Sequence, residues 1–140
     1  VMRQNRILLH TDLDTRCPQV DMDRVMIEQV LLNLVNNAVE AMRDAAIVAP
    51  QLHILTRPTA EGGVEVQVAD NGPGIPAELQ SEVFERFARG DSSRSRHAGS
   101  TGLGLAIVSA VVRAHDGTIG LRSVPGHTEF TVRLPGARNV

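Results

Sequence analysis

Between positions 24 and 45 apolar residues recur at three- and four-residue steps, with Ile27, Leu31, Leu34, Ala38 and Met42 forming one stripe. That period belongs to an amphipathic helix. Asp21 or Asp23 can cap its start, and Pro50 follows its end. Elsewhere the period drops to two. Ile7–Leu13 reads as a short strand, and Leu52–Arg57 and Val64–Ala69 alternate on either side of Glu61-Gly62-Gly63, a hairpin signal. A short helix is expected over Ala77–Val83. Residues 88–100 then carry Arg, Ser, Gly and Asp with almost nothing apolar, a loop long enough that function explains it better than connection does. Leu103–His115 reads as a second core helix closed by Gly117. Thr118–Ser123 and Glu129–Leu134 form a last hairpin around Pro125-Gly126. The order β, α, ββ, α, α, ββ predicts an α+β fold. It is a two-layer α/β sandwich, with a mixed, mostly antiparallel sheet and its helices on one face. The 140 residues are expected to form a single domain.

Composition narrows the function classes. A net charge of −2 gives no electrostatic case for nucleic acid, and the absence of Trp and Tyr disfavours a base-stacking platform. All basic residues are arginine, so any phosphate clamp here must use guanidinium groups. No apolar run approaches the roughly 18 residues that span a bilayer. The first residues lack a signal-peptide pattern, and the single Cys17 fits a reducing compartment. A cytoplasmic chain, or the cytosolic part of a membrane-anchored one, is the expectation.

Three stretches carry candidate chemistry. On the long helix Asn33, Asn37, Glu40 and Asp44 share a polar stripe beside the apolar one. Two asparagines mid-helix cost stability, and a neutral amide oxygen can ligate magnesium, so Asn37 is a candidate metal ligand. Asn36 points elsewhere and is read as structural or solvent-facing. Asp70 ends a strand before Asn71-Gly72-Pro73-Gly74. It could accept from an exocyclic amine, with Gly72 and Gly74 admitting a flat ring, or simply close an Asx-type turn. Gly99 to Ile107 places three glycines before an apolar helix, which is how a backbone presents N–H groups to a phosphate. Arg86, Arg89, Arg94 and Arg96 lie in or beside the loop, where they can close over a triphosphate or merely face solvent. Phe84 and Phe87 are expected to pin its root to the core.

Together these stretches resemble the catalytic and ATP-binding domain of two-component sensor histidine kinases, in the GHKL superfamily with its Bergerat fold. The resemblance covers nearly the whole chain. Asn33-Leu-Val-Asn-Asn37-Ala looks like the N box, Asp70-Asn-Gly-Pro-Gly74 the G1 box, Phe84-Glu-Arg-Phe87 the F box and Gly99 to Ile107 the G2 box. Gly126-His-Thr128-Glu-Phe130 is similar to the family's final hairpin. The resemblance implies that Asn37 binds Mg²⁺, with Asn33 beside it toward the phosphates. It implies that Asp70 recognises adenine in a pocket that includes Gly72, Gly74, Ile75 and Thr128. Gly102, Leu103, Gly104 and Leu105 would approach the phosphates, and Arg89 would reach the γ-phosphate from a flexible ATP lid over about 88–102. Glu40 departs from relatives that carry a basic residue there.

Asn33 bears on the reaction. In the related ATPases that position, four before the metal asparagine, is typically a glutamate acting as general base; an amide cannot take a proton from water. The resemblance then favours a protein-histidine kinase with slow ATP hydrolysis. Its γ-phosphate would pass to a histidine on a separate dimerisation and phosphoacceptor domain, and from there indirectly to a response regulator. None of His10, His53, His97, His115 or His127 sits in a phosphoacceptor pattern; His115 ends a helix, where a cation is favourable. The isolated chain is expected to bind ATP, stay monomeric and not phosphorylate itself. A non-catalytic ATP-binding or protein-docking module is the alternative.

Overall fold

The computed structural model describes residues 6–80, 83–84 and 102–136, with side chains from Leu105 onward in the last segment. Five strands, β1 (Leu8–Leu13), β2 (Gln51–Pro58), β3 (Val64–Asp70), β4 (Thr118–Val124) and β5 (His127–Leu134), form one sheet in the order β1-β2-β3-β5-β4. Only β1 and β2 run parallel; the other neighbours are antiparallel. The helices given among the described residues are α1 (Arg24–Asp44), α2 (Ala77–Gln80) and α3 (Gly102–Ala114). The mixed, mostly antiparallel sheet and the element order agree with the sequence reading. Of the expected helix over 77–83, Ala77–Gln80 and Val83 are helical, and residues 81–82 lie outside the described residues.

Asp23, the second of the two candidate caps, starts α1: its carboxylate accepts the Met26 N–H at 3.2 Å. That bond satisfies one of the amides a helix start leaves unpaired. The buried face of α1 differs from the expected stripe. Val30, Leu34, Ala38 and Met42 are buried at four-residue steps, while Leu31, like Ile27 at the start of the stripe, is only half-buried. The helix packs on both the sheet and α3, which turns the i, i+4 row inward and carries Asn37 in with it. Leu105, Val108, Val111 and Val112 of α3 meet that row, and Val64, Val68, Phe130, Val132 and Leu134 close the core from the sheet.

Strand alternation sets the two faces. The face that no described helix covers holds Glu65 of β3 between its register partners, Arg57 of β2 and Arg133 of β5. Glu65 Oε2 accepts from Arg57 at 2.8 Å and Oε1 from Arg133 at 2.8 Å. Burial pushes this carboxyl up, but hydrogen bonds from Arg133, Arg57 and Gln67 outweigh it and hold the group below its ordinary value.

His115 takes a structural role at the end of α3. Its Nε2 accepts the Asp23 N–H at 2.9 Å, which fixes the proton on Nδ1, where it is donated to the Val111 carbonyl at 2.8 Å. The imidazole thus ties the end of α3 to the start of α1. Val83 is buried, and the Phe84 ring meets Phe130 edge-on at 6.1 Å, so the expected anchor forms at Phe84. Phe87 lies outside the described residues.

Candidate functional site

One row crosses the sheet at the end where β3 stops. Leu52 pairs with Asp70, Asp70 with Thr128, and Thr128 with Ser123. All four side chains stand on the helix-facing side, and Asp70 and Thr128 are each 5% exposed. A carboxylate and a hydroxyl therefore lie side by side with almost no water to solvate them. Burial pushes the Asp70 carboxyl up; the Gly72 N–H, donated to Oδ1 at 2.8 Å, works against that shift without cancelling it. Among the described residues the other oxygen accepts nothing, so the group can take one further donor.

The turn after Asp70 is built for close approach. The Asx-type bond from Gly72 forms, as the simpler reading of Asp70 expects. A Cβ on Gly72 would sit 2.8 Å from Asp70 Oδ1 and 3.4 Å from Met42 of α1. Gly74 adopts φ +88°, and a Cβ there would meet the Val124 carbonyl oxygen at 2.6 Å. Asn71 splices the turn to β2, accepting the Gln51 N–H at 2.8 Å and donating to the Ala49 carbonyl at 2.9 Å. On the other side the Gly126 N–H reaches the Gly72 carbonyl at 3.1 Å. Ser123 Oγ accepts the Ile75 N–H at 2.8 Å and hydrogen-bonds Thr128 Oγ1 at 2.8 Å.

On α1, Asn37 is buried, Asn33 and Glu40 are half-buried, and Asp44 and Asn36 face solvent. Asn33 Oδ1 accepts from Gln29 one turn earlier at 2.8 Å. α3 opens at Gly102, so Gly102, Leu103 and Gly104 make its first turn, where backbone N–H groups lack helical partners and the dipole is positive. Leu105 has its side chain in the core, so only its backbone can face a ligand. Among the described residues there is no cluster of three or more His, Cys, Asp or Glu that could hold a metal ion.

Residues 22–138 match the family described as histidine kinase-, DNA gyrase B-, and HSP90-like ATPase. The chain belongs to that family. The probable sensor histidine kinase TcrY of Mycobacterium tuberculosis is 63% identical over 113 residues, covering 81% of this chain and 23% of TcrY. Among solved structures, full-length ShkA in complex with AMPPNP aligns with TM-score 0.77 and 28% identity over 99% of this chain and 27% of that one. The nucleotide-free catalytic domain of the histidine kinase ThkA aligns with TM-score 0.76 and 29% identity over 97% and 82%. The chain thus spans about a quarter of TcrY's length.

Within this ATPase-family fold, Asp70, Gly72, Gly74, Ile75 and Thr128 converge at one sheet end. Asn33 and Asn37 lie earlier on α1, on the turns preceding the Met42 contact to Gly72. Arg89 and the rest of the expected lid before Gly102 lie outside the described residues, as do Arg86, Arg94, Arg96 and His97. Sequence reasoning missed Ser123 and Gln80. A polar residue at an inward position of the Ile119, Leu121, Ser123 alternation was the available signal for the first; nothing marked the second. A cleft of about 520 Å³ lies beside His10 and His53, whose rings stack 4.3 Å apart, and Asp70 and Asn71 are also among the residues that line it. Burial, then the charges of His10 and His127, push His53 down. None of these imidazoles shares a face with the Asp70 row. No helix among the described residues is long and apolar enough to cross a membrane.

Proposed function

We propose that this chain is the ATP-binding catalytic domain of a sensor histidine kinase, transferring the γ-phosphate of Mg·ATP to a histidine on a separate helical phosphoacceptor domain. The observation that carries the reading is the buried Asp70 carboxylate in cross-strand register with the Thr128 hydroxyl, in a chain of this family. Asp70 accepts the exocyclic amine of adenine through the oxygen that Gly72 does not occupy. Gly72, Gly74, the Ile75 side chain and Thr128 bound the base. The backbone amides from Gly102 to Leu105 meet the phosphates at the start of α3. Arg89, from the lid over about 88–102, stabilises charge on the γ-phosphate.

Asn37 offers a neutral amide oxygen, a donor that suits Mg²⁺ shared with phosphate oxygens and water. The bound ion would offset phosphate charge during transfer. Asn33 stands toward the phosphates. Its amide oxygen already accepts from Gln29 and takes no proton from water, which supports transfer over hydrolysis. The acceptor imidazole forms the P–N bond with its own lone pair as the γ-phosphorus to bridging-oxygen bond breaks and ADP leaves. We further propose that the whole chain is one domain acting inside the cell, with a response regulator downstream.

Mixing the chain with the acceptor-helix domain of a histidine kinase and γ-labelled ATP tests this. The acceptor domain should gain acid-labile phosphate while the chain alone gains none. Nucleotide binding without transfer would leave a docking module, and ATP turnover at the rate of dedicated ATPases would overturn the role given to Asn33.

A further inference from the structure

The last residue of α2 makes two bonds that the adenine-site reading does not use. Gln80 Nε2 donates to the Ile75 carbonyl at 2.8 Å and to the Ser123 carbonyl at 3.0 Å. The Ile75 N–H, on the same residue, goes to Ser123 Oγ. Both backbone groups of Ile75 are therefore held, one by β4 directly and one by an amide that grips β4 as well. Ser123 in turn bonds Thr128, the neighbour of Asp70 across the sheet. Gln80 is half-buried. Its single side-chain nitrogen spends both protons on two carbonyls from chain segments 48 residues apart.

We propose that Gln80 is a positioning residue for the nucleotide: its amide clamps the Gly72–Ile75 turn onto β4 and so holds the base-facing wall in register with Asp70 and Thr128. The inference rests on the adenine-site reading of Asp70. It adds that nucleotide affinity is set partly by a side chain outside the pocket, through hydrogen bonds that require a donor. Turns of this kind hold a close approach only while their backbone groups stay engaged, because each freed carbonyl offers the segment another resting geometry.

The donor requirement makes the clamp separable from a packing role. Gln80→Lys keeps N–H donors in reach of two carbonyls, Gln80→Ala removes them, and Gln80→Glu sets a carboxylate against two carbonyl oxygens. ADP and ATP affinities of the chain, measured by calorimetry at neutral pH, should fall in the order wild type, Lys, Ala, Glu. We expect Lys within about threefold of wild type, Ala weaker by about fivefold or more, and Glu weaker still. Because the clamp acts at the base end, each variant should lose the same factor for ADP as for ATP. For Gln80→Glu the deficit relative to wild type at the same pH should narrow as pH falls toward 4–5, where a protonated carboxyl again donates.

Equal affinities for all four proteins would overturn the clamp. So would a loss confined to ATP, or Ala and Glu losses that match each other and do not change with pH. Thermal melting of each nucleotide-free variant separates folding from positioning: affinity losses that appear only where melting drops in proportion refute the proposal. A wild-type chain that binds neither nucleotide would instead remove the adenine-site reading itself, and the clamp with it.

Discussion

Replacing Asp70 by Asn separates ligand recognition from stability, because the structure sets the two effects against each other. The carboxylate is 5% exposed and burial pushes its titration upward, so the folded state holds the ionised form at a cost. A neutral amide of the same shape removes that cost. Its oxygen can keep the bond from the Gly72 N–H, now 2.8 Å from Oδ1. That choice fixes the amide orientation: with the oxygen on Gly72, the NH₂ group points where a ligand amine must arrive, donor against donor. The loss is one charge-assisted hydrogen bond, about 1.5–3 kcal/mol, or roughly 10- to 150-fold in Kd. The nucleotide-free variant should melt at the wild-type temperature or higher. Calorimetric titration with ADP at neutral pH, beside thermal melts of both proteins, reads the two quantities independently. The pH dependence adds a third. Binding needs the ionised acceptor, so wild-type affinity should fall on acidification through the raised value, above the ordinary 3.8 of an aspartate, while Asp70→Asn stays flat. An unchanged Kd, or a variant that melts several degrees lower, would refute the reasoning.

Glu65→Gln should destabilise the chain by about 1–3 kcal/mol at neutral pH, since it removes the charge shared by Arg57 and Arg133 and leaves nucleotide affinity alone. The folded carboxyl titrates below its ordinary 4.5, so its contribution is present above that pH and is lost as pH falls through the depressed value; denaturant melts from pH 7 to pH 3 should show the two proteins converging. Gly74→Ala forces a side chain into φ +88° against the Val124 carbonyl, and denaturant melts should register a loss of about 1–3 kcal/mol together with weakened ADP binding. Asn37→Asp should weaken Mg·ATP binding about tenfold or more, with metal-free ADP affinity changed far less; equal effects with and without magnesium would remove the metal assignment.

How far these outcomes were legible in the chain depends on the range of the interaction involved. The Asp23 cap, the Gly62-Gly63 hairpin and the strand order of the last hairpin follow from residues within a few positions of one another, and they appear where the pattern placed them. Asp70 and its glycines are also local, and a strand ending in Asp-Asn-Gly admits few shapes. What periodicity could not supply is which partners a face meets. It put Leu31 in the buried stripe because it counts apolar residues, whereas the two-sided contact with sheet and α3 selects Val30 instead and draws the polar Asn37 inward. His115 shows the same limit in its hydrogen bonding. Its place at a helix end was legible, but its partner, the Asp23 amide whose N–H its Nε2 accepts, lies 92 residues away in the chain. Ser123 left only an inward polar position in its strand as a signal, and Gln80 left none, for the same reason: each takes its role from a backbone group more than forty residues distant that presents one direction of hydrogen bond. The residues that would touch the nucleotide could thus be named from short motifs, while those that hold the motif residues in register emerged only once the sheet brought β4 against the turn. A substitution series confined to the motif positions would therefore test recognition and leave untouched the hydrogen bonds that aim it.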